Sequence, residues 1–198
     1  MRLLILPTMI LSCSICLTCF AEEVTQPNSL EGVYMNPKAE FWVAIKGKGN
    51  WPKLKQLENG ELIASFYNHP SHGFGNGDIE LWVSSDEGRN WAYRSTVTDH
   101  SADPEHCRMN HAVGKTADGR LIIMASGWSK GRSLPILPAQ VCISDDDGRT
   151  WQRHEIDNRD IPFGNIILAA DGRLVVGMYD VDPRRALILY ESKDDGQT

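Results

Sequence analysis

An all-β fold is predicted by three observations: a Trp-tipped loop motif that recurs along the chain, a Gly-centred turn motif that recurs out of phase with it, and short apolar runs between the two. Together they predict a β-propeller of four-stranded antiparallel blades, about three of them within the 198 residues.

The loop motif comes first. Ser84-Ser85-Asp86-Glu87-Gly88-Arg89-Asn90-Trp91 returns as Ser144-Asp145-Asp146-Asp147-Gly148-Arg149-Thr150-Trp151, and a third copy, Ser192 to Thr198, reaches the position before the Trp. Asp86, Asp146 and Asp194 stand 60 and 48 residues apart, the spacing of one blade. In a hairpin between third and fourth strands, the Asp carboxylate accepts N–H groups of its own turn. Gly88, Gly148 and Gly196 supply the unusual φ, and Trp91 and Trp151 pack over the loop and between sheets. Ser84, Ser144 and Ser192 complete the pattern. These residues are expected to hold the fold.

The turn motif is Asn59-Gly60, Asp118-Gly119 and Asp171-Gly172, read as tight two-residue hairpin turns. The runs that follow, Leu62 to Tyr67, Leu121 to Ala125 and Leu174 to Tyr179, are predicted strands. Ile79 to Val83, Gln140 to Ile143 and Ala186 to Tyr190 lead into the Asp-containing loops, while Trp91 to Val97 and Trp151 to Ile156 leave the first two. That makes about four strands in each repeat.

Arg2, the apolar stretch Leu3 to Leu17 and the small residues around Cys19-Phe20-Ala21 read as a signal peptide over residues 1–21. Ile10-Leu11-Ser12-Cys13 also approaches a lipoprotein signal, with Cys13 as the lipidated residue. A secreted or periplasmic protein is expected, with a lead-in over 22–44 and the propeller over 45–198. No later stretch has the ~20 apolar residues that a membrane helix needs. Beyond the leader only Cys107 and Cys142 remain, and Cys142, inside Val141-Cys142-Ile143, reads as a small buried hydrophobe. With 20 Lys+Arg against 26 Asp+Glu and no basic block, the net charge of −6 argues against nucleic acid as a partner.

On these motifs the chain resembles the sialidase (neuraminidase) superfamily, whose six-bladed propellers carry Asp boxes. The resemblance covers roughly residues 45–198 and implies a glycan-acting hydrolase, with the Asp boxes structural. It also implies that this chain is the front part of a longer protein, because three blades do not close a six-bladed ring. Where the family opens its first blade with an Arg-Ile-Pro type motif, this chain reads Asn50-Trp51-Pro52. The family's acid/base Asp has its column near Gly75, so Asp78 takes that role from a shifted place.

Strand alternation puts the Asn/Asp-Gly turns and the Asp boxes at one end of the blades. The opposite end receives the loops between second and third strands and the links between blades, and ligands of propellers bind where such loops converge. There the sequence places Tyr67, Asn68, His69, His72, Asp78 and Glu80, the link Glu105 to His111, then Trp128, Lys130 and Arg132, and finally Tyr179, Asp180, Arg184 and Arg185. The catalytic candidates are Asp78, His72, His111 and Tyr67. Arg108 and Arg132 suit bidentate capture of a sugar carboxylate, Trp128 suits stacking on a pyranose, and His69, Asn110 and Glu80 complete the substrate-binding candidates. The ligand implied is an acidic glycan.

Two other readings stay open. Three histidines beside Tyr67 suit proton abstraction next to a uronate carboxylate, which describes a polysaccharide lyase. The Asn at position 50 suits a propeller that binds glycan without cleaving it. No cofactor or metal is expected: His154-Glu155 lacks the second His of a zinc-protease helix, Asp145-Asp146-Asp147-Gly148 has Ile143 and His154 at calcium-ligand positions, and His106, Cys107 and His111 offer only a weak zinc set.

Overall fold

Alternating apolar runs cut by Gly-containing turns leave each segment one partner in reach, the segment before it, and so the chain folds as successive antiparallel hairpins. The computed structural model describes residues 43–71, 75–100, 105–129, 133–180 and 186–198. The leader, most of the lead-in, His72, Lys130, Arg132, Arg184 and Arg185 lie outside the described residues.

The first blade is the sheet of β1 (Asn50–Gln56), β2 (Leu62–Tyr67), β3 (Ile79–Ser84) and β4 (Ala92–Thr96), paired in chain order. The second repeats the plan with β5 (His106–Lys115), β6 (Leu121–Ser129), β7 (Ser133–Ser144) and β8 (Gln152–Ile156). The third contributes β9 (Ile161–Leu168), β10 (Leu174–Tyr179) and β11 (Leu187–Ser192). The chain is all-β, and its blades are those of a propeller.

Neighbouring blades touch through their first strands. β5 and β9 pair in parallel at Ala112↔Gly164 and Val113↔Asn165, which joins the second and third blades into one seven-stranded sheet. A Cβ on Gly114 would lie 2.7 Å from Ile166 Cβ, so this close approach depends on the missing side chain. On the other side, a parallel bridge Gly77↔Cys107 and the bond from Arg108 N to Gly77 O (2.8 Å) tie β5 to the first blade.

Two cores fill the wedges between blades. Ile63, Tyr67, Ile79 and Leu81 of the first blade pack on Met109, Val113, Ile123 and Cys142 of the second. Ile122, Met124, Val141 and Ile143 point the other way, onto Ile166, Leu174, Val176 and Met178. The period of two along β6 is what divides the residues between cores.

Two local expectations are corrected. The Asn/Asp-Gly turns are not two-residue turns: Gly60 N bonds Leu57 O at 3.0 Å, Leu57 N bonds Glu61 O at 2.8 Å, and only the Gly has positive φ. That is the longer hairpin in which the glycine forms a bulge, and it recurs at Thr116–Arg120 and Ala169–Arg173. Second, residues 106–111 are not a link but the opening of β5, the innermost strand of its blade. Their polar side chains disguised a strand whose middle is buried.

The Asp-containing loops repeat to fine detail. Asp146 Oδ1 accepts from Ser144 Oγ (2.7 Å), Arg149 N (2.9 Å) and Thr150 N (2.8 Å), and Oδ2 accepts from Thr150 Oγ1 (2.7 Å). Asp86 and Asp194 have the equivalent Ser partners and loop N–H partners. The residue before each Gly is also left-handed, with φ of 59° at Glu87, 58° at Asp147 and 57° at Asp195, a conformation that the Glu and Asp side chains do not announce. Trp151 packs against the core between the first two blades, and its Nε1 donates to Ser95 Oγ at 2.9 Å.

Candidate functional site

At the end of the blades away from the Asp boxes, β2 leaves the sheet at Tyr67 and β3 enters it at Ile79. The backbone bond from Asn68 N to Asp78 O (3.0 Å) closes that loop at its base. Asn50 Nδ2 donates to His69 O (2.7 Å) and Ser71 O (3.1 Å), so the carboxamide standing where the resemblance calls for Arg pins the loop backbone.

Asp78 is buried, with Oδ1 accepting from Thr98 Oγ1 at 2.8 Å and Oδ2 lying 2.5 Å from His100 Nδ1. Burial raises its pKa above the ordinary carboxylate value, opposed in part by the bonds from His100 and Thr98. The carboxyl therefore holds its proton to higher pH than an exposed Asp. His100 and Thr98 were missed in the sequence reading. The signal available was their position just past the end of an outermost strand, on the link that crosses this face.

Tyr67 is fully buried and donates its hydroxyl to Gly75 O at 2.6 Å. Desolvation, with Cys107 beside it, pushes its pKa well above the usual tyrosine value. Its ring stacks at 6.0 Å on His69, whose Nδ1 accepts from Ser71 N at 3.0 Å. Glu80 is taken up by Lys48, 3.0 Å from each carboxyl oxygen, by Asn68 Nδ2 at 3.0 Å and by Trp82 Nε1 at 2.8 Å. Asp78 and Glu80, two residues apart in the chain, have separate side-chain partners.

Other candidates lie deeper than expected. His111 is fully buried in β5, and burial brings its pKa down to about 4. Arg108 is buried too: Nη1 donates to Pro138 O and Nη2 to Glu155 Oε1, both at 2.5 Å, and Nε has no partner among the described residues. Its guanidinium is committed to the second blade. Asn110 is buried on β5, and Trp128 packs against the core between the first two blades. Tyr67, His69, Asp78 and Glu80 lie at one end of the first blade, around the loop between β2 and β3, whereas His111 and Arg108 sit inside the blade packing. Among the described residues no group of three or more His, Cys, Asp or Glu side chains is placed to hold a metal ion.

No family model matches the chain. A curated sialidase from Paraclostridium sordellii is 28% identical over 113 residues, which is 50% of this chain and 28% of that protein. Among solved structures, the Trypanosoma rangeli sialidase in complex with the inhibitor DANA aligns over 82% of the chain and 32% of its own, with TM-score 0.58 and 16% identity. The NanB sialidase of Streptococcus pneumoniae aligns over 77% of the chain and 43% of its own, with TM-score 0.57 and 11% identity. The chain thus spans less than half the length of these relatives. The fold is that of the sialidase propellers, as the repeats implied.

Proposed function

We propose that the protein is an exported, sialidase-like glycoside hydrolase acting on an acidic glycan, with its acid/base work centred on Asp78. The observation that carries this reading is the buried Asp78 carboxyl, held by Thr98 and His100 at the end of the first blade away from its Asp box. A buried carboxyl with a perturbed pKa, bonded to a more exposed imidazole, is a group on which acid/base chemistry at a glycosidic oxygen can rest. Likeness to sialidase propellers supports the substrate class, and the leader-like residues 1–21 support export.

Release of sialic acid from a sugar-linked sialoside by the full-length protein, with a loss of about 100-fold or more in Asp78→Asn, is the expected result. No release from any sialylated glycan would refute the hydrolase.

Asn50 favours a second reading, glycan binding without cleavage, because its carboxamide holds the 69–71 backbone where an Arg would grip a carboxylate. Saturable glycan binding with no product over long incubation would select it. Of the groups the lyase reading drew on, His69, His72, His111 and Tyr67, the structure buries Tyr67 and His111 with their polar atoms bonded, and His72 lies outside the described residues.

A further inference from the structure

The surroundings of Asp78 carry an assignment that rests on the hydrolase reading and sharpens it. Both carboxyl oxygens are engaged, Oδ1 by Thr98 and Oδ2 by His100. The Thr98 oxygen accepts from Ile79 N at 2.9 Å, so its own hydrogen is left to point at Asp78 and the carboxyl is fixed in place. The His100 side chain keeps 24% of its surface exposed against 10% for Asp78. Of the two groups the imidazole is the more exposed. A buried carboxyl bonded to one ring nitrogen sets the tautomer and the tilt of an imidazole and leaves the other nitrogen for chemistry.

We propose that His100 is the catalytic acid/base and that Asp78 is a positioning residue acting through it. His100 Nε2 gives its proton to the glycosidic oxygen as the C–O bond breaks with its electron pair on that oxygen. Water then supplies hydroxide to the sugar carbon and returns its remaining proton to Nε2, so one water is consumed and the Nε2 proton is restored. Among the described residues, the other titratable groups that register the Asp78 charge include Asp99 on the same link, Tyr67 on β2, Cys107 on β5 and Cys142 on β7. Burial pushes Tyr67 and Cys107 up, so neither competes for the proton near neutral pH.

The test compares a sialoside carrying a good phenol leaving group with one linked to a sugar. Without its acid, an enzyme fails on the poor leaving group and much less on the good one. His100→Gln should lose about 10²- to 10⁴-fold on the sugar-linked substrate and far less on the phenol, and Asp78→Asn should follow the same pattern. The ratio of the two rates does not depend on how much variant is folded. Equal loss on both substrates, or full activity in His100→Gln, overturns the assignment while leaving the hydrolase standing; a wild-type protein that cleaves neither substrate removes both. Should the variants not fold, nitrogen NMR of the wild-type imidazole decides: a proton on Nδ1 supports the dyad, and an Nδ1 without a proton overturns it.

Discussion

Ser65 on β2 and His111 on β5 meet at 2.9 Å, Oγ to Nε2, inside the packing that joins the first blade to the second. His111 Nδ1 lies 3.2 Å from Met109 O, which fixes the neutral tautomer: Nδ1–H donates to the carbonyl and Nε2 accepts from the serine. Protonation would place a second N–H against that hydroxyl in a fully buried site.

Burial brings the His111 pKa down to about 4, so folding is linked to pH through this residue. The unfolded histidine titrates near 6.5, and the native one only near 4. Its contribution is complete above the unfolded value and is lost as pH falls between the two, by about 2 kcal/mol at pH 5. Denaturant unfolding at pH 7 and pH 5 should show that loss in the wild type and a flatter response in His111→Gln. Parallel slopes would refute the linkage.

Asp78 works in the opposite direction. Its native pKa is raised by burial, so the ionised form weighs against folding above that pKa, and the burden lifts as pH falls toward the unfolded value. Asn can still accept from Thr98 and carries no charge. Asp78→Asn should therefore melt above the wild type at pH 7, by an amount equivalent to ~0.5–2 kcal/mol, with the gap closing on acidification. A variant that melts well below the wild type at pH 7 would show that the contact with His100 is a net stabilising ion pair.

The fold was legible because it is repeated. Asp86, Asp146 and Asp194 announce one hairpin three times, and β2 and β10 begin and end where their apolar runs do. The site was legible only where a residue borders such a strand, as Tyr67 and Asp78 do. His100 follows a short, half-exposed strand and owes its place to a contact 22 residues back along the chain, which no local pattern encodes. The segment His106 to His111 misled for the converse reason. Its polar side chains read as a link at the ligand-binding end, yet strand pairing and the crossing between blades bury Arg108, Asn110 and His111, since tertiary context overrides local polarity.

Arg108 gives that correction a measurable form. Its two donors hold Pro138 O and Glu155, and Glu155 is 50% exposed, so removal of the guanidinium leaves an acid that can turn to water and one orphaned carbonyl. Arg108→Met should cost about 2 kcal/mol of stability and leave KM for an acidic glycan close to that of the wild type. A KM raised tenfold with unchanged melting would instead make Arg108 a carboxylate binder.

The wedge between the first two blades is fastened on the Asp-box side by a chain of two bonds. Trp151 Nε1 donates to Ser95 Oγ at 2.9 Å, and Ser95 Oγ donates to Gly148 O at 2.5 Å, so a serine of β4 bridges the tryptophan and the glycine of the next blade's loop. Ser95 is buried, and Ser95→Ala would orphan both the indole N–H and the Gly148 carbonyl, at about 1–3 kcal/mol. Trp151→Phe keeps most of the ring packing and removes the first bond only. Because the two substitutions share a partner, their effects should fall short of additive by 0.5 kcal/mol or more in a double-mutant cycle. Full additivity would mean that the tryptophan holds the blades through packing alone, and that the serine serves only its own bond to the loop.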